Sequence, residues 1–99
     1  MKPTPNWENR HTTSLCDALL CLKSRSEMLH FLRDLLTVAE INTFAQRYQV
    51  ASLLEDNIPF KKIEQQTGAS SATIARVNRW LKNGENGYKV AIERLQTDK

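Results

Sequence analysis

The feature that most constrains the fold is the stretch 59–84, PFKKIEQQTGASSATIARVNRWLKNG, in which one central glycine separates two short amphipathic segments. Glycine adopts a left-handed backbone conformation without steric cost, so Gly68 favours a tight turn between two helices. Ser70 or Ser71 is suited to cap the second helix, because a serine hydroxyl accepts a hydrogen bond from a free amide of the first turn. The stretch therefore predicts a helix at about 59–67, a turn, and a second helix to about residue 83.

The predicted second helix has two different faces. At about 100° per residue, Ile74, Val77 and Leu81 lie together and are expected to be buried. The opposite face is small at its start and basic further along, with Ala72, Ala75, Arg76, Arg79 and Asn83.

Positive charge is concentrated in the same stretch. Between residues 59 and 82, five cations against Glu64 alone give +4, whereas the whole chain carries +3. In a helix-turn-helix that binds DNA, small and hydroxyl side chains approach base edges while basic side chains hold phosphates. The predicted DNA-binding residues are Lys61, Lys62, Ser70, Ser71, Ala72, Thr73, Ala75, Arg76, Arg79 and Lys82. An ordinary solvated face is the alternative interpretation of this charge.

The rest of the chain also shows helical periodicity. We expect a first helix from caps at 12–14 to Lys23, a second from Ser26 to Leu35, a third from a Thr37 capping box to about Glu55, and a last helix from near Asn86. The prediction is an all-α fold of about six helices without a convincing strand. Residues 1–13 are expected to be a flexible N-terminal arm, and residues 14–99 a single domain with the helix-turn-helix at about 59–83.

Several apolar residues of the long helix and the last helix are predicted to be buried. The long helix has a stripe of Ile41, Phe44, Ala45, Tyr48 and Ala51, and the last helix is expected to turn inward Val90, Ala91 and Leu95. The second helix is apolar over so wide a surface that it needs covering on more than one side. Because 99 residues bury only a modest core, stabilisation by an oligomer is expected.

Other function classes find little support in the sequence. Cys16 and Cys21 are five residues apart, which fits neither a redox pair nor a zinc half-site, so they are interpreted as reduced core cysteines of a cytoplasmic protein. His11 and His30 have no partner at ligand or triad spacing. We therefore expect no enzyme activity, metal, cofactor or membrane association.

Three segments carry a resemblance to a known family: LLT at 35–37, LLEDNI at 53–58, and above all TGASSATIARVNRWLKNG at 67–84. Over about residues 28–95 the chain resembles the bacterial Trp repressor superfamily, in particular its YerC/YecD-like branch. The resemblance implies an intertwined all-α homodimer with one helix-turn-helix in each subunit. The implied function is that of a sequence-specific double-stranded DNA-binding transcriptional regulator, in the sense of a repressor.

The resemblance also implies where a corepressor pocket would lie. Arg76 matches the arginine that covers the ligand, Thr37 matches the threonine at the start of the long helix, and Arg47 corresponds to the long-helix arginine. Val77 replaces a glycine and Trp80 replaces a serine, and these larger side chains are expected to fill the slot. We therefore expect DNA binding that does not depend on L-tryptophan.

Two alternatives remain open at the level of the sequence. One is a repressor that depends on tryptophan or on another small ligand, whose identity the sequence does not indicate. The other is a helical protein-interaction module without DNA affinity. The salt dependence of binding to duplex DNA discriminates the latter, because phosphate contacts weaken as salt rises.

Overall fold

The computed structural model describes residues 6–97, and within them it contains six α-helices and no strand. The chain forms two compact units, one up to Val38 and the other from Ala39 onward. No helix within the described residues is long and apolar enough to cross a membrane. The predicted all-α fold is confirmed, with α1 (Arg10–Leu20), α2 (Arg25–Leu35), α3 (Val38–Glu55), α4 (Phe60–Thr67), α5 (Ser71–Asn83) and α6 (Gly87–Thr97).

The first helix begins earlier than predicted. Asn9 Oδ1 accepts a hydrogen bond from the Thr12 amide at 3.0 Å, and Thr12 Oγ1 accepts one from the Asn9 amide at 2.8 Å. This reciprocal capping box places the N-cap at Asn9 rather than within 12–14. Residues 10–13 are therefore helical and not part of an arm, and residues 1–5 lie outside the described residues.

The second helix is also capped earlier than predicted. Ser24 Oγ, not Ser26, accepts a hydrogen bond from the amide of Glu27 at 3.1 Å. The first helix ends at Leu20 rather than at Lys23, so a short connection precedes the cap.

The unit that contains α1 and α2 buries none of its helical residues. Leu20 and Leu29 are 82% and 56% exposed. Cys16 and Cys21 are free but exposed, so the prediction of core cysteines is wrong for the single chain. Other apolar residues of these helices, such as Leu19, Phe31 and Leu32, are only half-buried, because the unit has no apolar layer of its own to cover them fully.

The unit from Ala39 onward has a core, to which α3 contributes only from its second half. In the predicted α3 stripe Ala51 is fully buried, Phe44 is 48% exposed and Ala45 is exposed. The stripe prediction is therefore correct for Ala51 and wrong, in the single chain, for Phe44 and Ala45, while Ile41 and Tyr48 are half-buried. The buried hydrophobic residues are Val50, Ala51, Ile63, Ala69, Ile74, Val77, Leu81 and Ile92.

The last helix presents a different face to this core than predicted. Ile92 is 4% exposed and Tyr88 packs against the core, whereas Val90, Ala91 and Leu95 are all exposed. The prediction for the last three residues is wrong. The helix follows Asn86, whose φ of 68° turns the chain just before α6 begins, and this fixes a face that periodicity alone could not select.

Candidate nucleic-acid interface

A turn closed by hydrogen bonds joins α4 to α5. Gly68 has φ of 73°, and its amide donates a hydrogen bond to the carbonyl of Glu64 at 2.9 Å. The Thr67 hydroxyl donates to the carbonyl of Ile63 at 2.7 Å and accepts from the amide of Ala69 at 3.0 Å. These bonds occupy the free carbonyls at the end of α4 and set the direction in which the chain enters α5.

Ser70 caps α5. Its Oγ accepts a hydrogen bond from the Thr73 amide at 3.1 Å and donates to Thr73 Oγ1 at 3.0 Å. The prediction that Ser70 or Ser71 caps this helix is confirmed for Ser70. Because the Ser70 and Thr73 hydroxyls are bonded to each other, Ser71 has the freer hydroxyl at the start of the helix.

The two faces of α5 are as predicted. Ile74 and Val77 are 0% exposed and Leu81 is 6% exposed. Ile74 and Val77 pack in one core cluster with Ile63 of α4, which holds the two helices together. The exposed face carries Ala72, Ala75, Arg76, Arg79 and Asn83.

The residues predicted to contact DNA share one unit and are accessible. Nine of the ten are exposed and Thr73 is half-buried. Lys61 and Lys62 lie in the first turn of α4, which contains no acidic residue. The α4–α5 pair is held to the long helix by Gln46, whose Nε2 donates to the carbonyl of Thr67 at 3.2 Å. The surface is thus a basic helix-turn-helix face with small side chains at its leading end.

Beside α5, an arginine of α3 lies close to two aromatic rings. The guanidinium carbon of Arg47 is 5.8 Å from the ring centroid of Phe44 and 5.4 Å from that of Trp80. Both distances fit cation–π contacts. The sequence does not predict the contact of Arg47 with Trp80, because it joins α3 to α5, two helices far apart in sequence.

The residues of the implied ligand pocket have different surroundings. Val77 is 0% exposed and belongs to the buried core, against which Tyr48 packs. Trp80 is 38% exposed and Arg76 is exposed. Thr37 belongs to the other compact unit.

Trp80 also lines an open, mostly apolar cavity of about 570 Å³. Its other walls come from α3, the connection after α5, and α6. The lining residues are Tyr48, Trp80, Gly84, Glu85, Gly87, Tyr88 and Ala91.

Residues suited to metal binding do not cluster in the part of the chain that the structure describes. His11 and His30 are both exposed and lie on different helices. The expectation that neither histidine belongs to a metal or catalytic site remains a prediction.

Comparison with known proteins agrees with this geometry. A family model described as Trp repressor protein matches residues 10–96. The uncharacterised protein YerC of Bacillus subtilis (strain 168) is 43% identical over 82 residues, which are 83% of this chain and 79% of that protein.

Two crystal structures are similar over most of the chain. A TrpR-like protein from Eubacterium eligens ATCC 27750 superposes with a TM-score of 0.87 at 39% identity, covering 90% of this chain and 92% of the other. A candidate Trp repressor from Staphylococcus aureus gives a TM-score of 0.86 at 39% identity, covering 90% and 89%.

Proposed function

Because the chain belongs to the Trp repressor family, in its YerC-like branch, we propose that it is a sequence-specific double-stranded DNA-binding transcriptional repressor. The family consists of regulatory DNA-binding proteins, not enzymes. The observation that carries the proposal is the α4–α5 surface. It combines a closed glycine turn, a capped second helix and a basic exposed face, and these three features are what a helix-turn-helix needs in order to enter a major groove.

The two helices of this surface have different roles in the proposal. Ser71, Ala72 and Ala75 at the leading end of α5 approach base edges, because their side chains are short and exposed. Lys61 and Lys62 contact the phosphate backbone, where the positive end of the α4 dipole adds to their charge. The remaining basic side chains, Arg76, Arg79 and Lys82, hold further phosphates.

The proposed active species is a homodimer. A single helix-turn-helix contacts one half-site, and a two-fold dimer presents a second one about 34 Å away, one helical turn along the DNA. The uncovered apolar side chains of α1 and α2, and of Phe44 on α3, supply the surface that a second copy would bury. Burying them offsets the small core of each chain.

DNA binding without L-tryptophan is the second part of the proposal. Val77 is fully buried in the core and Arg47 lies against the ring of Trp80, so the protein's own side chains brace α5 against α3. Arg76 is exposed and is available to a phosphate instead of a ligand. The cavity beside Trp80 favours a second candidate function, a repressor that responds to some other small molecule.

Selection of binding sites from random duplexes with the purified protein tests the proposal. A sequence-specific repressor should enrich a common motif, which for a homodimer has two symmetric halves about one helical turn apart. A protein-interaction module would enrich no sequence over the starting pool, and that result would contradict the proposal.

A further inference from the structure

A second open cavity, of about 370 Å³, lies on the unit that carries the helix-turn-helix. The end of α3, the start of α4, the last turns of α5 and the first turn of α6 contribute to it. Its apolar walls include Leu54, Ile58 and Leu81. Its polar lining consists of two lysines, two asparagines and one carboxylate: Lys82, Lys89, Asn57, Asn78 and Glu55.

The two lysines differ in what they contribute to their own helices. Lys82 lies in the last turn of α5, where a cation favourably meets the negative end of the helix dipole. Lys89 lies in the first turn of α6, which contains no acidic residue, and its charge opposes the positive end of the helix dipole. The helix dipole therefore favours a cation at Lys82 but not at Lys89.

The charges at this cavity favour an anion. Among residues 6–97, neither lysine is engaged in an ion pair. The side-chain amides of Asn57 and Asn78 can donate hydrogen bonds to the same anion. Glu55 opposes binding, but one carboxylate against two ammonium groups leaves a net charge of +1.

The cavity adjoins the end of α4 that is proposed to face the DNA backbone. Phe60 lines the cavity and directly precedes Lys61 and Lys62. We propose that Lys89 and Lys82 form a site for a backbone phosphate of the bound DNA, in addition to the phosphates held by Lys61 and Lys62. This inference rests on the proposed function. A phosphate contact of this kind increases affinity without reading sequence.

Substitution of Lys89 tests the proposal. A fluorescent duplex that carries the selected sequence is titrated with each protein variant at several salt concentrations. Lys89→Gln should weaken binding several-fold, to the same degree on the selected and on a scrambled duplex, and should reduce the slope of log K against log[salt] by about 0.9. Lys89→Arg keeps the charge and should retain both values. Glu55→Gln should tighten binding, since it removes the opposing carboxylate.

Arg94→Gln is the matched control. Arg94 is an exposed cation of the same helix, outside both the cavity and the proposed DNA surface, so its removal changes the net charge equally. If Lys89→Gln and Arg94→Gln change affinity and slope alike, the site at Lys89 is overturned while DNA binding itself stands. If the unmodified protein binds no duplex, the proposed function fails as well.

A free phosphate compound is the other ligand that the chemistry of this cavity would fit. Tripolyphosphate titrated into the protein without DNA distinguishes the two sources. Saturable binding that Lys89→Gln abolishes, together with unchanged DNA affinity of that variant, would assign the cavity to a small phosphate compound and would overturn the DNA contact.

Discussion

Gly68 is the residue on which the geometry of the helix-turn-helix depends most directly. Its φ of 73° is in the left-handed region, and a Cβ added there would meet no atom within 4 Å. Gly68→Ala should therefore destabilise the fold through backbone strain alone, by about 1 kcal/mol. Urea unfolding at one fixed protein concentration measures this change.

Gly87→Ala is the control for that substitution. Gly87 also has open space around its Cβ position, lacks a left-handed φ and begins α6, so alanine there should be neutral or stabilising. Equal losses in both variants would contradict the assignment of strain to the turn at Gly68.

The cap residues show what could be predicted at the scale of single residues. Ser70 and Gly68 were predictable because each has a fixed chemical role next to a clear turn signal. Asn9 and Ser24 were missed because serine or threonine residues a few positions further along satisfy the same rule equally well, and only the hydrogen bonds distinguish them.

At the scale of helices, we expect α4 to position the protein on the phosphate backbone and α5 to contact the base edges. Lys62→Ala should weaken binding about equally on every duplex and lower the salt slope by about 0.9, because it removes one phosphate contact. Ala72→Gln should change which duplex is preferred, because a longer amide at the leading end of α5 reaches base edges. Site selection repeated with each variant checks both outcomes.

Ala72 is a better probe of base reading than Thr73. The Thr73 hydroxyl is bonded to the Ser70 hydroxyl, so a change at Thr73 also disturbs the cap of the helix. An unaltered sequence preference for Ala72→Gln, with affinity intact, would show that the leading end of α5 does not face the bases.

The buried face of α5 could be predicted from its periodicity. The buried faces of α3 and α6 were predicted less accurately. Ile74, Val77 and Leu81 recur at three and four residues along one helix and are all buried. The apolar stripe of α3 extends past the part that this chain can cover, as the exposure of Phe44 shows. The contact of Arg47 with Trp80 escaped prediction because it depends on two helices distant in sequence meeting in space. The cavity at Lys89 escaped prediction because four helices contribute to its walls.

For the whole molecule, the exposed apolar residues predict a dimer. Leu15, Leu20, Leu29 and Leu35 are between 38% and 82% exposed in the single chain. Sedimentation equilibrium at micromolar concentration should give twice the chain mass of 11.4 kDa. A monomer at that concentration would contradict both the intertwined fold and the two half-site arrangement.

Tryptophan should leave the whole molecule's DNA affinity unchanged. A corepressor acts by binding the DNA-competent state more tightly than the other state, and here Val77 is already buried in the core while Trp80 contacts Arg47. Titrating L-tryptophan into protein and selected duplex should not move the dissociation constant. A tightening of tenfold, equivalent to about 1.4 kcal/mol of coupling, would contradict this prediction and place the chain among the corepressor-dependent repressors.

The salt dependence of DNA binding, measured on the selected duplex, tests the central claim most directly. If the α4–α5 surface holds the phosphate backbone, the logarithm of the binding constant should fall linearly with the logarithm of salt concentration, by about 0.9 for each phosphate contacted. Lys61→Ala should reduce the slope of that line by about 0.9, the value for one phosphate contact. Arg94→Ala removes an exposed cation elsewhere and should leave the slope unchanged. Binding that hardly responds to salt, or no binding to any duplex, would contradict the account and favour a helical protein-interaction module.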